Sequence, residues 1–94
     1  MAAITGATSL NLVPQLGYKE IVVFTPSTAD SADTIDVSSA SATGGETLSV
    51  IKHIVACDAT TGDSVTATWS TTTVTLDASG GTTNHEYVLR ILGY

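Results

Sequence analysis

Apolar and polar residues alternate along this chain in short runs, and Gly, Pro or Asp interrupts the pattern about every ten residues. Val65, Ala67 and Trp69 alternate with Ser64, Thr66, Thr68 and Ser70, and Val74 and Leu76 alternate with Thr73, Thr75 and Asp77. Successive side chains of a strand point to opposite faces, so a period of two lays an apolar row on one face only. No stretch carries apolar residues at helical spacing over three turns, which excludes a long helix. Ser and Thr supply 27 of the 94 residues, and Thr and Val suit a pleated surface better than a helix. An apolar share of 43% separates this composition from that of a disordered Thr-rich chain.

The runs define the expected organisation. Met1 to Gln15 is small and polar, ends near Pro14, and reads as an extended arm with one short strand near Leu10–Val13. Leu16 to Thr25 is the first firm strand, with Tyr18, Val22 and Phe24 on one face and Ile21 and Val23 on the other. Thr34 to Ser38 directs Ile35 and Val37 inward. SASATGG follows as a loop by composition, its paired Gly44 and Gly45 supplying unusual backbone angles. Glu46 to Cys57 is the longest apolar run, with Leu48, Val50, Ile54 and Ala56 on one face and Ile51, Val55 and Cys57 on the other. DATTGD is a turn. A hairpin is expected around Ser70–Thr72, and the loop ASGGTT leads into a last strand, Asn84 to Leu92, with Tyr87, Leu89 and Ile91 on one side.

The expected fold is all-β: a small β-sandwich or partly open barrel of six to seven antiparallel strands, residues 16–94, with the arm at 1–15. The expected core comprises Val22, Phe24, Ile54, Val65, Trp69, Val74, Leu76, Tyr87 and Leu89. A chain of this mass buries only about 60–65% of its unfolded surface, enough for one thin core but not for a deep walled cavity as well. The two strands that are apolar on both faces exceed what one thin sandwich covers, so a homo-oligomer is expected, with a trimer the first choice.

Charge limits the partners. Lys19, Lys52 and Arg90 stand against nine carboxylates, for a net charge of −6. Three scattered cations cannot form the basic footprint that nucleic acid or an anionic membrane surface requires. The single cysteine, Cys57, excludes an internal disulfide and reads as a small hydrophobe. MAAITGATSL has neither the basic nor the continuous apolar region of a secretion signal, and no apolar stretch has the length of a membrane span.

Candidate chemistry is sparse. A Ser-His-Asp set can be assembled on paper from His53 or His85, but no nucleophile elbow accompanies it, so a core or surface imidazole is the expected role and the chain is not expected to be an enzyme. Asp30, Asp33 and Asp36 lie three apart, and Asp58 and Asp63 flank the DATTGD turn. Calcium takes six to eight oxygens, yet the glycine and terminal Glu of a helix-loop-helix calcium loop are missing. A polar turn and strand edge without bound metal is therefore expected. Two histidines and a carboxylate fall short of a four-ligand zinc site, and no Gly-rich loop precedes a helix, so no cofactor is expected. Trp69 with Tyr18, Tyr87 or Tyr94 offers a sugar-stacking platform as the alternative to a core tryptophan.

Two stretches, IVVFTPSTADSADTIDVSS and TTGDSVTATWSTTTVTLDASGGTTNHEYVLRILGY, resemble small virion proteins of tailed bacteriophages encoded near the major capsid protein. The motifs that carry the likeness are the TPSTADSADTIDV segment, the TGDSVTATW step and the terminal TTNHEYVLRILGY strand, and together they cover most of residues 17–94. The resemblance implies a head-decoration or cement role, often as trimers or other homo-oligomers, and implies no catalytic residue. The Met1 start and an end directly after a strand are expected of a whole small gene product. The expected function is thus a structural protein made in the host cytoplasm and carried in the virion, contacting the capsid or another virion protein. An Ig-like carbohydrate- or surface-binding module is the alternative, and a small β-barrel enzyme a third, weaker class. Leu10, Leu12 and Val13 are spaced to add a strand to a partner's sheet edge, which makes the arm the expected partner-binding segment.

Overall fold

The computed structural model describes residues 3–11, 18–27, 29–30, 32–77 and 84–94. Seven strands form one curled antiparallel sheet: β1 (Thr8–Asn11), β2 (Lys19–Phe24), β3 (Thr34–Asp36), β4 (Ile51–Asp58), β5 (Ser64–Ser70), β6 (Thr73–Asp77) and β7 (Tyr87–Gly93). Their order is β1-β2-β7-β4-β5-β6-β3. One short helix, α1 (Ala40–Thr43), follows β3. The all-β, partly open barrel architecture is the one the alternating runs imply.

The sheet curls because β5 changes neighbours along its length. Ser64 and Val65 pair with Cys57 and Ala56 of β4, whereas Thr66 to Ser70 pair with β6. The curl brings the two ends of the strand order together. Ala3 bridges Thr34 in parallel, and the Ile4 amide donates to the Thr34 carbonyl at 2.7 Å. α1 fills the same side. Ser39 caps it by accepting from the Ala42 amide, and Gly44 ends it in the left-handed region that glycine adopts without strain. The Ala7 amide donates to the Ala42 carbonyl, and a methyl at Gly44 would strike the Ala7 backbone.

The inner face holds the core. Ile21 and Val23 of β2, Tyr87, Leu89 and Ile91 of β7, Ile35 of β3, and Val74 and Leu76 of β6 are fully buried, joined by Ile54, Ala56 and Val65. Burial of such side chains contributes roughly 1.5–3 kcal/mol each relative to exposure. Thr25 extends the β2–β7 ladder: its amide donates to the Tyr87 carbonyl, and its hydroxyl accepts from the Tyr87 amide at 2.8 Å.

Several expected positions need correction. Val22 and Phe24 are half-buried on the outer face, because β2 turns Ile21 and Val23 to the core instead. Trp69 is 39% exposed and not a core residue. It lies directly opposite buried Val74, but the β4–β5 ladder has ended at Val65, so among the described residues no strand hydrogen-bonded on that side covers the indole. In β4, Ile51 is buried with Ile54 rather than on the face of Val55 and Cys57. A bulge at Lys52, between the Ile51–Gly93 and His53–Leu92 pairs, inserts one residue and inverts the alternation. The SASATGG loop contains α1. Residues 3–11 of the expected arm are part of the sheet through β1, Ile4 and Ala7. Leu12, Val13 and the ASGGTT loop at 78–83 lie outside the described residues.

Candidate functional site: an apolar outer sheet face

Cross-strand pairing sets the outer face of β1, β2, β7 and β4 as three rows. Thr8, Phe24, Val88 and Cys57 form one, Leu10, Val22, Arg90 and Val55 the next, and Glu20, Leu92 and His53 the third. The same parity carries Tyr18 and Tyr94 beyond the last row. Their rings pack with centroids 5.6 Å apart, and the Lys52 ammonium lies 5.7 Å from the Tyr94 ring centre, a cation–π arrangement. Six large hydrophobic side chains are exposed among the described residues: Leu10, Tyr18, Val55, Trp69, Leu92 and Tyr94. All but Trp69 stand on this face. Soluble monomers scatter such residues, and a contiguous set marks a contact surface.

One ion pair interrupts the apolar rows. Arg90 donates from Nε and from a terminal nitrogen to Oε1 of Glu20, both at 2.7 Å. Arg90 sits opposite Val22 and Glu20 opposite Leu92, so the pair spans the ladder diagonally. Glu20, His53, Val55, Arg90 and Leu92 line a shallow open depression of about 240 Å³. That is below the ~300–1,000 Å³ of a typical small-molecule cleft, so the face suits a flat macromolecular contact.

The other polar constellation lies at the opposite end of β4. Asp58, almost wholly buried, accepts from the Thr60 and Thr61 amides through Oδ1, and its Oδ2 stands 2.6 Å from Nδ1 of His85. Burial by itself raises the Asp58 pKa. The hydrogen bond from His85, then those from the Thr60 and Thr61 amides, outweigh it and hold the carboxyl below its ordinary value. The Glu86 amide donates to the Thr60 hydroxyl and the Ala59 amide to the Glu86 carbonyl. Together these bonds clamp the β4–β5 turn onto the start of β7, with Asp58 Oδ1 committed to the turn amides and Oδ2 to His85.

The Asp30, Asp33 and Asp36 carboxylates serve the backbone in the same manner. Asp33 accepts from the Asp30 amide, and Asp30 from the Asn84 amide. Asp36 accepts from the Ser38 hydroxyl and amide and from the Thr72 hydroxyl, which hold its pKa below the ordinary value in that order of importance. Among the described residues no three His, Cys, Asp or Glu side chains gather as a metal-binding group. His53 is exposed on the outer face, apart from His85, and Cys57 is half-buried there beside Val88. Of the expected partner-binding residues, Leu10 is 57% exposed on the outer face of β1. Strand periodicity grouped Tyr18, Val22 and Phe24 on one face of β2 and Val55 with Cys57 on one face of β4, but did not say which face lies outward. The Asp58–His85 pairing had no local signal, since the two lie 27 positions apart.

No family model, curated protein or solved structure matches this chain.

Proposed function

We propose that the chain is a non-catalytic structural subunit of a bacteriophage particle, which decorates or stabilises the capsid through flat β-surface contacts and self-association. One observation carries this reading: the clustering of Leu10, Tyr18, Val55, Leu92 and Tyr94 on one outer sheet face. Covering apolar surface contributes about 25 cal/mol per Å², and a four-strand face offers a broad, rigid area for it. The Glu20–Arg90 pair keeps the middle of the face close to neutral, which suits a contact with a protein shell. The resemblance of TPSTADSADTIDV and TTNHEYVLRILGY to phage head proteins supplies the particle. Purified virions of the genome that encodes the chain, analysed by quantitative mass spectrometry, test this proposal. The chain present in many copies per particle supports it, and its absence from washed particles overturns it.

Exposure of Trp69 favours a second reading, an Ig-like carbohydrate- or surface-binding module, since an open indole offers a stacking platform. Saturable quenching of tryptophan emission by a glycan, lost in Trp69→Ala, would select this reading over the first.

A further inference from the structure

Among the described residues strand pairing stops at several places in the sheet, and most of them are guarded. The residues just before β1 are tied to α1 by the Gly6–Ser41 and Ala7–Ala42 backbone bonds, and within β1 the Ser9 hydroxyl accepts from the Glu46 amide. β3 is bridged by Ala3 and Ile4. The side of β4 that faces β5 carries the bulge and charge of Lys52 and the exposed His53 where its pairing with β5 has ended. Bulges, lysines and covering segments are the devices that stop a sheet edge from recruiting another chain. The clearest exception is β5. Among the described residues it pairs with β6 alone beyond Val65, and Thr66-Ala67-Thr68-Trp69-Ser70 contains no charge, proline or bulge. Trp69, the one exposed large hydrophobic residue away from the outer face among the described residues, lies on this edge strand.

We infer that the Thr66–Ser70 edge of β5 joins two copies of this chain, antiparallel about a two-fold axis, into one continuous sheet. The occupant is a second copy because the strand complements itself. With Thr68 on the axis, Thr66 meets the second copy's Ser70 and Ala67 meets its Trp69. On one face each indole then lies against a small alanine side chain and leaves water. On the other, the hydroxyls of Thr66, Thr68 and Ser70 form a ladder of cross-strand pairs, an arrangement that favours sheet pairing. A two-fold axis sets every charge near it against its like, and in a chain of net charge −6 this five-residue stretch carries none. The inference deepens the self-association part of the proposed function and does not involve the outer face. An isologous contact about a two-fold axis uses the same edge on both copies, so it closes as a dimer and not as the trimer expected from sequence.

Thr68 is exposed, which makes it the position to test. Thr68→Lys and Thr68→Glu each place two like charges across the axis, and mixing the two variants places opposite charges there. In sedimentation at micromolar concentration the native chain is expected to be a dimer and each variant a monomer with unchanged far-ultraviolet circular dichroism. An equimolar mixture of the variants is expected to restore the dimer, with tryptophan emission shifted to the blue relative to either alone. A Thr68→Cys, Cys57→Ser chain is expected to form an intersubunit disulfide on air oxidation, since directly opposed residues of paired strands lie within disulfide reach. A monomeric native chain, an oligomer that persists in both charge variants, or failure of the cysteine variant to cross-link overturns the inference. Outer-face variants that abolish capsid binding but leave the dimer intact bear on the proposed function alone.

Discussion

The Arg90 guanidinium crosses the β2–β7 ladder diagonally and holds the Glu20 carboxylate at 2.7 Å, in the middle of a face whose other residues are mostly apolar, with His53 and Thr8 among the exceptions. Exposed ion pairs contribute roughly 0–1 kcal/mol to stability. The pair matters more for what it cancels. An unpaired cation or carboxylate at this position would have to be desolvated by any partner seated on Val22, Val55 and Leu92.

Glu20→Gln is therefore expected to shift folding stability by less than about 1 kcal/mol while leaving the Arg90 charge uncompensated. Association through the face weakens and gains a salt dependence that the native chain lacks. Chemical denaturation with binding measured at two salt concentrations checks both halves. Equal binding by native and variant chains at both salts would contradict the neutralising role.

Asp58 gives the fold a defined pH response. Its folded pKa lies below the value of about 3.9 of a free aspartate, so the unfolded state takes up the proton first as pH falls. The stability it contributes is complete above about pH 4–5 and is lost as pH drops through the folded pKa. The melting temperature of Asp58→Asn should lie below that of the native chain at neutral pH, with the gap closing in acid. A gap that stays constant down to the acid limit would show that the carboxylate charge is not the stabilising feature.

Trp69 and Leu89 should separate cleanly. Leu89 is fully buried on the central strand, and Leu89→Ala is expected to cost about 2–5 kcal/mol. Trp69→Ala in the monomeric Thr68→Lys background is expected to cost less than the ~3–5 kcal/mol of a buried aromatic truncation. The emission maximum in that background should be that of a partly hydrated indole. Urea unfolding of the native, Leu89→Ala, Thr68→Lys and Thr68→Lys/Trp69→Ala chains measures the difference, and a Trp69→Ala cost equal to that of Leu89→Ala would return the indole to the core.

Much of this architecture was legible in the chain, and the places where it was not share a cause. β7 reads correctly because Tyr87, Leu89 and Ile91 alternate with Val88, Arg90 and Leu92, and the strand is paired on both sides along its length. β2 is apolar on both faces, so periodicity cannot say whether Ile21 and Val23 or Val22 and Phe24 face inward; packing against the rest of the sheet decides. The Lys52 bulge inverts the alternation of β4 with no glycine or proline to announce it. Trp69 keeps the parity of Val65, but its cover depends on where a neighbouring strand stops, and the strand's own pattern carries no record of that. The four residues of α1 are too few to show a helical period. The outer face was legible as excess apolarity on two strands, whereas its continuity across β1, β2, β7 and β4 required the register.

The central claim is that the outer face is the surface through which the chain holds its particle. Val55→Asp with Leu92→Asp tests it most directly, because both side chains are exposed and lie off the inner core and the β5 edge. The measurement is co-sedimentation of native and doubly substituted chains with capsids from which the chain has been stripped, alongside circular dichroism and thermal melts. The account predicts native binding to saturation, loss of binding by the variant, superimposable spectra, and a cooperative melt for both chains. Saturation binding by the folded variant, indistinguishable from that of the native chain, would contradict it.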